Sequence, residues 1–331
     1  MFKNKSILIT GGTGSFGKAF VKYLIKNYKG FKKIIIFSRD ELKQFEMSNE
    51  INEEKYPFIR YFLGDVRDRQ RIKRSLENVD YVIHAAALKQ VPAAEYNPFE
   101  VIKTNIEGAQ NIVESCLDSN VKKVIALSTD KAVSPLNLYG ATKLCSDKIF
   151  VSANNILGKR NLSFSVARYG NVMGTRGSVI PQFLKQKKTG TLNITDKRMT
   201  RFNIMMEDSI KLILWVLKNS LGGEIFVPKI PSYNILDLAK AVAPNCNIKY
   251  IGLRPGEKLH EELISRGESY NTVDLQKYYA ILNFDKKLER RYLIDKKFKK
   301  VQNEFSYNSK ENSKFLTTKN LIGLIKKSKI I

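Results

Sequence analysis

Six short apolar runs, each followed by a stretch of helical periodicity or closing the series, fix the fold class of this chain before any other feature. "SILIT" precedes "SFGKAFVKYLIKNY", "KKIIIFS" precedes "DELKQFEMSNEI", and "FIRYFL" precedes "RQRIKRSLE". "DYVIHAA" precedes "PFEVIKTNIEGAQNIVESCLDS", "KKVIALS" precedes "NLYGATKLCSDKIFVSANNI", and "LSFSVAR" closes the series. The runs are rich in β-branched residues and nearly continuous in apolar character, as strands are when helices cover both faces of a sheet. Alternation of this kind predicts an α/β chain with a doubly wound parallel sheet. After Arg168 the pattern loosens into glycine, proline and arginine clusters, with one further helix in "MMEDSIKLILWVLKNS" and one further strand in "EIFV". This predicts a smaller C-terminal lobe over the carboxyl edge of the sheet.

Composition narrows the setting. No apolar run approaches the ~20 residues of a membrane span, and "SILIT" begins at Ser6, leaving no room ahead of it for a signal peptide. A soluble, cytoplasmic protein without a membrane partner is the expectation. Three scattered cysteines, Cys116, Cys145 and Cys246, do not make a disulfide framework. The two histidines, His84 and His260, lack metal-ligand spacing, and no metal is expected. The net charge of +25 raises the question of nucleic acid or another anionic surface. The lysines run along the whole chain with no nucleic-acid motif, so no nucleic-acid partner is expected.

The turn in "ILITGGTGSFG" sits between the first strand and the first helix. Gly11 permits a tight turn, Gly14 lets backbone approach a pyrophosphate, and Gly17 lets helix and strand pack closely. Thr13, Ser15 and Phe16 complete the turn, and the helix N-terminus offers unpaired N–H groups to phosphates. The reading is a Rossmann-type dinucleotide site. Ser38 and Arg39 at the tip of the second strand offer a hydroxyl and a guanidinium suited to a 2′-phosphate, which favours NADP. Asp65 and Val66 in "GDVRD" fall where an adenine ring would lie, and Ala85, Ala86 and Ala87 are small enough for a cofactor to rest on backbone.

Tyr139 and Lys143 are spaced i, i+4 and share one helix face after the fifth strand. An ammonium beside a phenol favours phenolate, which lets the pair take a proton from an alcohol while its carbon gives up hydride. Immediately upstream stands Thr129-Asp130-Lys131.

With these residues in view, the chain resembles the extended short-chain dehydrogenase/reductases. "STDKAVSPLNLYGATKL", "HAAALKQVPAAEYNP", "RYGNVMGTRGSVIP", "TDKRMTRF" and "RPGEKLHEEL" extend the resemblance to the configuration-inverting UDP-N-acetylglucosamine 4,6-dehydratases, which begin pseudaminic acid biosynthesis. Ordinary sugar-nucleotide epimerases lack the Thr-Asp-Lys triplet, and retaining hexose dehydratases carry Asp-Glu at the place of Asp130-Lys131. Gln90 departs from the histidine frequent in close relatives.

The resemblance implies a tightly bound NADP, regenerated each cycle, and UDP-N-acetylglucosamine as substrate. Tyr139 with Lys143 performs C4 oxidation, Lys131 is the base at C5, and Asp130 is the acid at the C6 hydroxyl. Thr129, and Ser128 beside it, hold the reacting hydroxyl. Hydride returns to C6 and C5 is reprotonated from the opposite face, giving a 4-keto-6-deoxy sugar of L-arabino configuration. Adjacent burial is expected to push Lys131 toward amine and Asp130 toward acid. For the UDP-sugar, Arg254 grips the diphosphate and Glu257 the ribose. Lys89, Asn171, Arg176, Arg198 and Arg201 are further candidates.

Residues 1–171 plus about 202–228 are assigned to the NADP domain, and about 172–201 plus 229–331 to the UDP-sugar lobe. The family implies a homo-oligomer, dimer or hexamer. A UDP-sugar 4-epimerase or bifunctional dehydratase/epimerase is the alternative on the same fold. A silent nucleotide-sensing module is a rival of another class, against which both Tyr139 and Lys143 are present.

Overall fold

The computed structural model describes residues 1–175 and 177–328. The six apolar runs form strands β1 (Ser6–Thr10), β2 (Lys33–Ser38), β3 (Ile59–Leu63), β4 (Tyr81–His84), β5 (Lys123–Thr129) and β6 (Ser163–Tyr169). They pair in parallel in the order β6-β5-β4-β1-β2-β3. The order reverses between β1 and β4. Ligands of doubly wound sheets bind at such a point, beyond the carboxyl ends of the strands. Ile7, Leu8, Ile9, Ile34, Ile35, Ile36, Val82 and Ile83 are all buried, in agreement with helices on both faces.

Helix α1 (Ser15–Asn27) shows how the sequence dictates the docking of one layer on the next. Gly17, Phe20, Val21 and Leu24 recur at i, i+3, i+4 and i+7 and are the buried face. Gly17 meets the glycine turn so closely that a Cβ there would stand 2.5 Å from the Gly12 carbonyl oxygen. The helix before β5 is broken by a π-helical turn at Lys103–Glu107. Such turns are frequent at functional sites. This one holds Asn105, whose side chain clamps both backbone groups of Leu88, at 2.8 and 2.9 Å, beside the "AAA" segment.

The sheet is larger than the sequence pattern suggests. Ile225–Pro228 continues it in parallel beyond β6. Tyr278–Ile281, Thr272–Asp274 and Lys299–Lys300 then add antiparallel strands, making ten among the described residues. These last three segments lie within 229–331, the stretch assigned from sequence to the lobe. Their brevity and the hairpin at Leu275–Lys277, with Gln276 at φ 67°, interrupt any periodicity long enough to read. After Asp285 come a short helix (Lys286–Arg290), a π-helical turn (Arg291–Asp295) and the edge strand Lys299–Lys300.

A second core belongs to the lobe itself. Met173, Ile180, Phe183, Leu192, Ile194, Tyr233, Leu238, Leu321 and Ile325 pack together apart from the sheet. Its strands Thr200–Ile204, Ser232–Asn234 and Asn171–Val172 form a small sheet directly after β6, so the lobe overhangs the carboxyl edge. No helix among the described residues is long and apolar enough to cross a membrane.

The Gly17 contact is testable. Gly17→Ala is expected to destabilise the protein by about 1–3 kcal/mol through overpacking, read as a lowered urea midpoint. Gly267→Ala, where nothing lies within 4 Å of the added methyl, is the control and leaves the midpoint in place.

Candidate active site

A cleft of about 980 Å³ opens at the switch point. It begins at the glycine turn. Gly11 has φ +63°, and a Cβ on it would lie 2.9 Å from the Ala86 nitrogen, so this turn and the "AAA" segment touch backbone to backbone. Gly14 is the N-cap of α1 and makes no side-chain capping bond, which leaves the first N–H groups of the helix open to the cleft. Ser15, Phe16, Gly17, Asp65, Val66, Ala85, Ala86 and Ala87 line the same space. These features fit a dinucleotide: a cradle without side chains, followed by an open positive helix end. Thr13 and Ser38 share a hydrogen bond of 2.8 Å across the β1–β2 tips. Arg39 is half exposed and stands 3.5 Å from Asp65, whose carboxylate is already held by Arg67 at 2.8 Å.

The far end of the cleft is built on β5 and the helix Leu138–Ser152. Asn137 caps this helix, accepting from the Gly140 N–H at 2.8 Å, and donates to the Gly256 carbonyl at 2.9 Å. One residue thus starts the Tyr139 helix and ties it to the "RPGEK" loop. Gly140 lets the helix press on the turn carrying Lys131. A Cβ on it would lie 2.2 Å from the Lys131 carbonyl oxygen. Tyr139 and Lys143 both line the cleft, and Lys143 is buried. Burial lowers the Lys143 amine, and Asp147, one turn further on, opposes that.

Burial pushes the Tyr139 phenol up to about 12, while Lys131 and a hydrogen bond from Thr129 pull it down. The expected partner Lys143 is not among the larger influences on that phenol. Lys131 stands in its place, because it approaches from the end of β5.

Asp130 and Lys131 form a tight turn after β5. Asp130 is wholly buried. Its Oδ1 accepts from the Thr129 hydroxyl at 2.9 Å and from Lys131 Nζ at 3.1 Å. Its Oδ2 has no hydrogen-bond partner and faces Gly170 just past β6. Burial raises the Asp130 carboxyl against the pull of Lys131, as the sequence reading expects.

For Lys131 the direction is the reverse of that expectation. Burial lowers its amine, but Asp130 and Glu261 together raise it above an ordinary lysine. Glu261 Oε1 lies 3.2 Å from Lys131 Nζ. In the sequence Glu261 is only one residue of "RPGEKLHEEL". Nothing local connects it to a lysine 130 positions earlier.

The remaining candidates divide by place. Lys89, Asn171, Thr129 and Ser128 line the cleft, together with Gln90. Arg201 is turned inward, donating to the carbonyls of Thr200 (2.8 Å) and Leu259 (3.1 Å). Arg198 is exposed and paired with Asp196 at 2.7 Å. Arg254 is exposed on the loop, and Glu257 has a buried Oε2 without a partner. Arg176 lies outside the described residues. Both histidines are bonded to threonines, His84 to Thr10 at 2.9 Å and His260 to Thr200 at 2.8 Å, and burial drives His84 down to about 3.

Three groups missed in the sequence complete the surroundings. Asp147 accepts from Ser128 (2.7 Å) and from Arg168 (3.3 Å). Arg168, fully buried, also pairs with Glu268 at 2.9 Å. Asp147 was legible in principle, since it continues the Tyr139–Lys143 face at i+8.

Comparison with known proteins agrees with this geometry. Residues 7–283 match the family model described as polysaccharide biosynthesis protein. The chain is 54% identical, over 98% of its own length and 98% of the relative's, to the UDP-N-acetylglucosamine 4,6-dehydratase (inverting) of Campylobacter jejuni subsp. jejuni serotype O:2. It is 43% identical to a UDP-glucose 4-epimerase of Rickettsia bellii, over 94% and 93% of the two chains. Among solved structures, Pen from Bacillus thuringiensis covers all of both chains with a TM-score of 0.90 at 36% identity. The chain therefore belongs to the polysaccharide biosynthesis protein family and, within it, with the inverting UDP-N-acetylglucosamine 4,6-dehydratases of the extended short-chain dehydrogenase/reductase type.

Proposed function

We propose that this protein is an NADP-dependent UDP-N-acetylglucosamine 4,6-dehydratase that inverts C5, giving UDP-2-acetamido-2,6-dideoxy-L-arabino-hexos-4-ulose. The observation that carries the reading is the Asp130–Lys131 pair at the tip of β5, 3.1 Å apart, with Lys131 lining the same cleft as Tyr139 and Asp130 wholly buried. The 54% identity to the Campylobacter dehydratase over nearly the full chain supports the same reading.

A bound nicotinamide supplies the hydride acceptor at C4 and the donor at C6. The chain's own residues handle protons. Tyr139, with Lys143 behind it, receives the C4 hydroxyl proton. The resulting ketone acidifies the C5 hydrogen, which Lys131 removes as an amine. Asp130, whose carboxyl is raised by burial, gives its proton to the departing C6 hydroxyl. The required state, amine plus carboxylic acid, holds the same number of protons as the ion pair. It differs by one proton moved along the 3.1 Å contact.

Lys89 and Asn171 face the sugar in this reading, with Arg254 and Glu257 on the nucleotide. Thr13, Ser38 and Arg39 hold the 2′-phosphate of NADP.

Lys131→Ala is expected to keep bound cofactor and UDP-sugar affinity and to lose about 10²–10⁴-fold in kcat. Incubation in deuterated buffer without added cofactor reads the product by mass and NMR. Wild type loses one water and gains deuterium at C5. Undiminished C5 labelling in the variant removes Lys131 from its role, and an isomerised product without water loss identifies an epimerase.

Arg39→Ala is expected to weaken NADP by about 1.5–3 kcal/mol, the worth of a hydrogen bond to a charged group, and to leave NAD unchanged. Fluorescence titration of the apoprotein with each dinucleotide checks this. Equal losses for both would mean that Arg39 does not read the 2′-phosphate.

A further inference from the structure

We propose that Glu261 is a positioning residue of the C-terminal segment that keeps Lys131 and Asp130 sharing a single proton between them. The proposal rests on the reading of Lys131 as the C5 base and Asp130 as the C6 acid. Glu261 is buried, and its Oε1 stands 3.2 Å from Lys131 Nζ, on an ammonium that also reaches Asp130 at 3.1 Å. Its backbone is fixed on both sides by Ser309, whose hydroxyl accepts the Glu261 N–H at 2.9 Å and whose N–H donates to the Glu261 carbonyl at 2.8 Å. Glu261 Oε2 has no hydrogen-bond partner. The carboxylate is therefore spent on cations alone, Lys131 and, at 3.7 Å, Arg201 Nε.

Charge bookkeeping gives the consequence. Asp130 and Tyr139 face Lys131 from its own turn and the following helix, and Glu261 and Lys258 from the segment before Leu263. Arg201, Lys89 and Tyr233 are its further titratable or charged neighbours among the described residues. Against burial, which alone would raise it, Glu261 is held ionised by Lys131, Arg201 and Lys258. It is thus a fixed negative charge beside a pair that exchanges protons. A fixed anion makes every proton on the pair easier to hold. It resists the doubly deprotonated state, in which Asp130 has no proton to give. It equally displaces upward the acid limit at which Lys131 is locked as ammonium beside protonated Asp130.

The catalytic window is the singly protonated pair, so kcat is bell-shaped in pH, with both apparent pKa values belonging to the pair. When Lys131 takes the C5 proton and Asp130 gives one to the leaving hydroxyl, the pair ends as ammonium and carboxylate across the 3.1 Å contact. Transfer of one proton from Nζ to Oδ1 resets it. The C–H bond broken at C5, the C–O bond broken at C6 and the O–H bond formed in water balance without a proton from outside the pair in this half of the cycle.

The test is the pH profile of kcat at saturating UDP-N-acetylglucosamine in the NADP-loaded protein. Glu261→Gln keeps shape and removes charge, so both limbs are expected to move to lower pH by about one unit or more. Glu261→Asp keeps the charge and restores the limbs toward wild type. Arg201→Gln removes the competing cation and moves both limbs the other way, which keeps the idea testable should Glu261→Gln fail to fold.

Limbs that stay in place in Glu261→Gln or, if that variant does not fold, in Arg201→Gln overturn the proposal and leave Glu261 a structural residue. Lys131→Ala is run alongside. C5 labelling that survives in Lys131→Ala overturns the underlying reading instead, whatever Glu261→Gln does.

Discussion

Asp130 is withdrawn entirely from water at the tip of β5, and the surrounding architecture follows from the cost of keeping a carboxyl there. An ionised carboxylate in such a place costs several kcal/mol unless charges and hydrogen bonds replace its hydration. Only one of its oxygens finds partners, the Thr129 hydroxyl and the Lys131 ammonium. The other lies against Gly170, where a side chain would also strike Phe202 at 2.6 Å. A carboxyl half satisfied in this way has a cheap escape, which is to hold a proton. The environment that looks unfavourable for an ion pair is the environment an acid catalyst requires.

Lys131 is kept in register with it by packing as well as by charge. The Tyr139 helix presses on the Lys131 turn through Gly140, and Asn137 joins the start of that helix to the loop at Gly256. Beneath lies a second buried cluster in which Arg168 on β6 bridges Asp147 on the helix and Glu268 in the C-terminal segment. Losing one partner of such a cluster strands the others in a dry interior. β5, β6, the Tyr139 helix and the lobe are thereby fixed relative to one another. The distances at Asp130 and Lys131 are the product of that fixing.

The parallel sheet and the glycine turn were legible in the sequence because each is local. A strand is a run of apolar residues, and the glycine cradle is one strand-to-helix turn. Tyr139, Lys143 and Thr129-Asp130-Lys131 were legible for the same reason, falling within fifteen residues of one another. The antiparallel extension at 272–281 and 299–300 was not, since strands of two to four residues carry no period. Glu261 and Glu268 were hidden by sequence distance, reaching the site only once the lobe closes over β5 and β6. The direction of the Lys131 shift was misjudged on that account. Burial was foreseen, but the second carboxylate that joins Asp130 in outweighing it was not.

A redox-neutral elimination asks its active site to finish each turnover as it began. Hydride leaves C4 and arrives at C6, so no net oxidation remains. The protons need the same closure. An acid and a base far apart would each have to exchange with solvent, through a site that must exclude water while a ketone-bearing intermediate is present. In the proposed mechanism, placing the amine 3.1 Å from the carboxyl removes that requirement for the elimination step, because the proton captured from C5 is one short transfer from the carboxyl that has just given one up. Glu261, as proposed, adds a constant charge that neither gives nor receives protons in the cycle. Its position on the C-terminal segment, rather than on β5, means that this chemistry is complete only when lobe and sheet are in contact. On this proposal the lobe is part of the acid–base machinery as well as a cover for the substrate.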